Sequence, residues 1–82
     1  MAKLDKAKER IKSRPTDYKW DELRALLLAL GYREIQGSGS RVRFYDDKTG
    51  LTLNLHKPHP QPEVRAYVIK QVLDHLHGAG LL

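Results

Sequence analysis

Two hydrophobic periods organise this chain. Between Trp20 and Leu30, Leu23, Leu26, Leu27 and Leu30 recur at i, i+3, i+4 and i+7, which predicts a helix with one leucine face. Asp21 and Glu22 suit its positive N-terminal end, and Gly31 suits the position just past its C-terminus. Leu28 falls off the stripe and offers a second contact surface. From Arg41 to Asp46 the period drops to two, with Val42 and Phe44 on one side and Arg41, Arg43 and Tyr45 on the other. The next strand repeats it: Leu51, Leu53 and Leu55 alternate with Thr52, Asn54 and His56. Asp46-Asp47-Lys48-Thr49-Gly50 between the two reads as a hairpin connection, so these strands should pair antiparallel.

The flanking segments complete the pattern. Tyr32 to Gln36 predicts a short first strand, ended by Gly37-Ser38-Gly39. Pro58, Pro60 and Pro62 impose an extended exit and should stop ladder pairing after the third strand. From about Val64 to His77, Val68, Ile69, Val72, Leu73 and Leu76 share a helical face, with Gly78 and Gly80 at its end. Residues 2–12 carry a thinner stripe, Leu4, Ala7 and Ile11, closed by Pro15. That stripe is too thin to fold alone, so it docks on the domain, docks on a partner, or frays.

The expected fold is therefore α+β: a helical extension, then α-β-β-β-α with a three-stranded antiparallel sheet. The apolar sheet face must pack on both leucine-bearing helices, because nothing else in the chain can cover it. The opposite face is left open, displaying Arg41, Arg43, Tyr45, Thr52, Asn54 and His56.

Composition narrows the classes. Eighty-two residues suffice for one small core, read as a domain over 16–82 preceded by a basic extension over 1–15. The absence of cysteine excludes disulfides and thiolate metal sites. No apolar run approaches the ~20 residues of a membrane span, and the N-terminus has no secretory apolar region, so the expected location is cytoplasmic. The net charge of +5 is unevenly spread: residues 1–15 hold six basic and two acidic groups, the remainder nine and eight. The extension is thus either a solvated tail or an arm that tracks phosphates.

Candidate chemistry concentrates on the open face. Arg41 and Arg43 lie two apart on a strand, so their guanidinia point the same way roughly 6–7 Å apart, a spacing suited to successive phosphates. Screening arginines would share that pattern. Tyr45 offers an aromatic ring for base stacking, Asn54 an amide, and Lys57 a further cation beyond the strand end. Ser38 and Ser40, set beside Gly37 and Gly39, can present backbone N–H groups to an anion, or simply form a turn. His56 ends the third strand and His59 lies in the proline-rich exit. An imidazole titrating near neutral pH can take the 2′-hydroxyl proton in RNA cleavage while an arginine stabilises the phosphorane. Two histidines three apart, with no cysteine and no carboxylate at ligand spacing, do not make a metal site. His75 and His77 are read as imidazolium groups complementing the C-terminal end of the last helix. No triad spacing, phosphate-binding loop or dinucleotide fingerprint occurs, and no cofactor is expected.

From Trp20 to Leu82 the chain resembles the HicA family of bacterial toxins. The resemblance rests on order and spacing: a leucine-rich helix closing on Gly31-Tyr32, then Gly39-Ser40-Arg41-Val42-Arg43-Phe44, a short strand leading to His59-Pro60, and a final helix closing on Gly80-Leu81. It implies a double-stranded-RNA-binding-domain-like fold, ribosome-independent cleavage of mRNA, and inhibition by a HicB-like antitoxin bound over the active surface. The family's active-site histidine follows Gly-Ser or Gly-Gly before the second strand, where this chain has Arg41. Arginine stays protonated at neutral pH and cannot shuttle protons. The imidazole is then expected from His56, or from His59, which matches the family's His-Pro, with Arg41 as a phosphate clamp. Two other readings share the fold: a non-catalytic RNA-binding module, and a domain whose open face and basic tail grip a protein partner.

Overall fold

A computed structural model describes residues 3–82. The elements run α1 (Lys3–Lys12), α2 (Trp20–Ala29), β1 (Arg33–Gln36), β2 (Arg41–Tyr45), β3 (Thr52–His56) and α3 (Ala66–Gly78). The strands form one antiparallel sheet in the order β1-β2-β3. The α-β-β-β-α arrangement expected from the periodicities is thus present, preceded by a helix.

Burial follows the alternation. Val42 and Phe44 of β2 and Leu53 and Leu55 of β3 are buried against Leu23, Leu26 and Leu27 of α2 and Ile69, Val72, Leu73 and Leu76 of α3. Trp20 packs on Phe44 with ring centroids 6.0 Å apart. Covering a side chain of this size contributes ~1.5–3 kcal/mol, so the sheet face and the helices hold each other in place. α2 ends at Leu30, where Gly31 adopts φ +98° and Tyr32 N–H donates to the Leu27 carbonyl at 3.0 Å.

The thin N-terminal stripe docks on the domain. Ile11 is completely buried, and Leu4 and Ala7 pack partly against the core. Arg10 adds a fork to Glu22, with Nε donating to Oε1 at 2.6 Å and Nη2 to Oε2 at 3.2 Å, and Nη2 also reaches Asp17 at 3.3 Å. Glu22 also accepts from the backbone N–H of Lys19 at 2.9 Å, tying the start of α2. Glu22 thus does more than suit the positive end of α2: it joins α1 to it.

Five sequence expectations need correction. Leu51 lies outside β3 and is 40% exposed, because the turn runs on to it: Asp46 N–H donates to the Leu51 carbonyl at 3.0 Å. Asp46 takes the buried place, 6% exposed, accepting from Lys48 N–H at 3.1 Å and from the Thr49 hydroxyl at 3.0 Å. Tyr32 is a core residue, not the first of β1. The proline-rich exit does make strand-like bonds, since a proline carbonyl can still accept: Trp20 N–H donates to Pro62 O at 2.8 Å and Val64 N–H to Tyr18 O at 2.7 Å. Val64 is consequently buried ahead of α3 instead of opening it. Finally, His75 is no dipole-complementing imidazolium. Its Nε2 lies 2.7 Å from the Tyr32 hydroxyl, and burial pulls its pKa below the ordinary 6.5, favouring the neutral ring.

Candidate nucleic-acid interface

The uncovered sheet face is built by cross-strand register. Arg41 stands directly opposite His56, Arg43 opposite Asn54, and Tyr45 opposite Thr52. On the other side, β1 places Ile35 opposite Arg43 and Arg33 opposite Tyr45. Directly opposed residues have Cβ atoms about 4.5–5.5 Å apart, so Arg41 and His56 can address the same small group. Arg43 Nε donates to the Asn54 side-chain oxygen at 3.2 Å, which fixes both side chains without neutralising the cation.

The hairpin between β1 and β2 shapes one end of this face. Gly37 N–H donates to the Arg41 carbonyl at 2.8 Å, and Arg41 N–H to the Ser38 carbonyl at 3.2 Å. Those two N–H groups are spent on the turn. Gly39 adopts φ +62°, a conformation that favours glycine. A Cβ on Gly37 would sit 3.1 Å from the Arg41 Cβ, so glycine lets the loop close onto Arg41. Ser40 is exposed, and its carbonyl accepts from Lys57 N–H at 2.8 Å, extending the β2–β3 pairing past His56.

A shallow groove collects Ile35, Ser38, Arg41, Arg43, Asn54 and His56. It holds one imidazole and no carboxylate. Tyr45 lies at the far end of β2, half-buried, away from that groove. Lys57 is exposed just beyond β3. His59 faces a different groove, beside α3, and so does not join the Arg41–His56 pair. The sequence reading left out Ile35 and Arg33; the alternation of β1, once paired to β2, puts both on the open face. Ile35 is 48% exposed there and gives the groove an apolar wall.

Among the described residues no cluster of histidine and carboxylate groups could hold a metal ion, and no helix is long and apolar enough to cross a membrane. The geometry is that of an open cationic surface with one imidazole, on a fold whose helices all lie behind the sheet.

Residues 20–80 match the family model described as the HicA toxin of bacterial toxin–antitoxin systems. The chain belongs to the HicA toxin family. The matched span opens with α2 and closes just after α3, so it contains the whole sheet and both helices that cover it, while α1 precedes it. No curated protein and no solved structure matches the chain. As a HicA-family toxin it has an antitoxin as its partner. On the open face of this HicA-family fold, Arg41 and Arg43 share a groove with the His56 imidazole.

Proposed function

We propose that this HicA-family chain is a cytoplasmic mRNA endoribonuclease that works without the ribosome, and that its active surface is the open sheet face. The direct pairing of Arg41 with His56 carries the reading. Arg41 and Arg43 clamp the phosphodiester backbone, and Asn54 holds Arg43 in place through their hydrogen bond. Ser40 and Lys57, joined at the rim, contact the backbone on one side, and Tyr45 stacks a base at the other end of β2. His56 accepts the proton of the 2′-hydroxyl as its oxygen attacks phosphorus. The O2′–P bond forms, the P–O5′ bond breaks, and water protonates the departing 5′-oxygen. Arg41 stabilises the extra negative charge on the non-bridging oxygens. The products are a 2′,3′-cyclic phosphate and a 5′-hydroxyl, with no metal in the step. His59, in the neighbouring groove, is not needed for it. Arg41 occupies the place of the family's histidine and does electrostatic work there. A HicB-like antitoxin inhibits by covering this face.

Induced expression tests the proposal. Wild-type protein should arrest growth and fragment mRNA, and His56→Ala should relieve both. If His56→Ala remains fully toxic while Arg41→Ala does not, the histidine assignment is wrong. A second reading, an RNA-binding module that does not cut, is favoured by one observation: the groove offers a single acid–base group. Salt-sensitive RNA binding with no fragmentation would establish that reading instead.

A further inference from the structure

The larger groove of this domain lies outside the open face. It is bounded by the Arg14–Thr16 turn, the Pro58–Gln61 strap and the first turns of α3, and encloses about 880 Å³. We propose that this groove is a second RNA contact, taking a single-stranded segment that flanks the phosphodiester held on the sheet, with phosphates on Arg14, Arg65 and Lys70 and a base stacked on Tyr67. The inference rests on the RNA reading of the sheet face.

Three cations without an ion-pair partner among the described residues line this groove, as Arg41 and Arg43 line the one on the sheet face. Arg10, Lys12, Arg24 and Arg33 each have a carboxylate within ion-pair distance. Among the described residues, Arg14, Arg65 and Lys70 have none. All three line one groove whose sole acidic member is Glu63. Three cations sharing a groove with a single carboxylate leave an excess positive charge, which a polyanion neutralises. Tyr67 is 67% exposed in the same groove, more than any other large apolar side chain among the described residues. An exposed ring among cations is the pairing that holds single-stranded nucleic acid without sequence preference. Both sites also lie along one short piece of chain. His56 ends β3 in the first groove and His59 lines the second, so at most ~10 Å of backbone separates them. Exposed Lys57 sits between.

The test uses the full chain and fluorescent single-stranded RNAs of ~4 and ~12 nucleotides, spanning the site sizes of small single-strand binders. Tyr67→Ala should weaken the longer RNA about 5- to 150-fold, the range for losing one stacked base. Arg65→Gln with Lys70→Gln should lower the slope of log K against log salt by about 1.4 on that RNA. The short RNA, filling only the sheet face, should bind all these variants as it binds wild type. If both RNAs bind the groove variants normally while Arg41→Ala weakens them, the second contact is wrong and the sheet-face reading stands. If the groove variants weaken only the antitoxin complex, the groove is a protein interface and the inference fails. Wild-type protein that binds neither RNA at low salt would overturn both readings together. All three substituted side chains are solvent-exposed, so urea midpoints should match wild type.

Discussion

The Tyr32 hydroxyl and His75 Nε2 lie 2.7 Å apart, joining the residue behind α2 to the last turns of α3. Their rings are tilted with centroids 5.7 Å apart, and Tyr32 is buried. Burial lowers the His75 pKa below 6.5 and raises that of Tyr32, so each is favoured neutral. The unfolded chain therefore binds more protons at His75 than the folded one. Stability should fall as pH drops from about 6.5 through the folded pKa, then level off. Urea midpoints measured above and below that window should differ in wild type, and His75→Gln should flatten the difference. Tyr32→Phe should cost about 1 kcal/mol.

A second acid-sensitive window should open lower. The hydrogen bond from Arg10 holds the Glu22 carboxyl below its ordinary 4.5, so its contribution is complete above 4.5 and is lost as pH falls through the folded value. Glu22→Gln should remove this window and leave the His75 window intact.

Docking of α1 should depend on Ile11 far more than on Arg10. Ile11→Ala should cost about 2–5 kcal/mol, because a completely buried side chain leaves a cavity. A double-mutant cycle on Arg10 and Glu22 should yield far less than the Ile11 truncation costs, since both side chains remain over a third exposed. Denaturant titration of both variants decides the ranking.

On the open face, His56→Ala should lower single-turnover cleavage about 100- to 10,000-fold with little change in RNA affinity. Arg41→Ala should weaken RNA binding and reduce the salt slope by about 0.7, the loss of one phosphate contact to a single strand. Equal effects of both variants on binding, with no separate effect on rate, would contradict the division of labour.

Asp46 should matter to activity from a distance. Its carboxylate closes the turn that sets the β2–β3 register, and that register puts Arg41 opposite His56. Asp46→Ala should cost about 1–3 kcal/mol by leaving Lys48 N–H and the Thr49 hydroxyl unpaired. Cleavage should drop in proportion to the unfolded or mispaired fraction and recover under stabilising conditions, unlike cleavage by His56→Ala.

The sequence by itself determined what is local. A period of 3.6 from Leu23 to Leu30 and of two from Val42 to Leu55 are properties of neighbouring residues, and they assigned α2, β2, β3 and the two sheet faces. The same alternation put Arg41, Arg43, Asn54 and His56 on one side. Tertiary structure decided what depends on distant segments meeting. It chose docking for α1 through Ile11, and it turned Leu51 out while taking Asp46 in. It made His75 a buried partner of Tyr32, and it separated His59 from His56. It also brought Arg14 to the start of α3, across fifty residues of chain. Periodicity fixes which way a side chain faces; only closure of the chain fixes what it then meets.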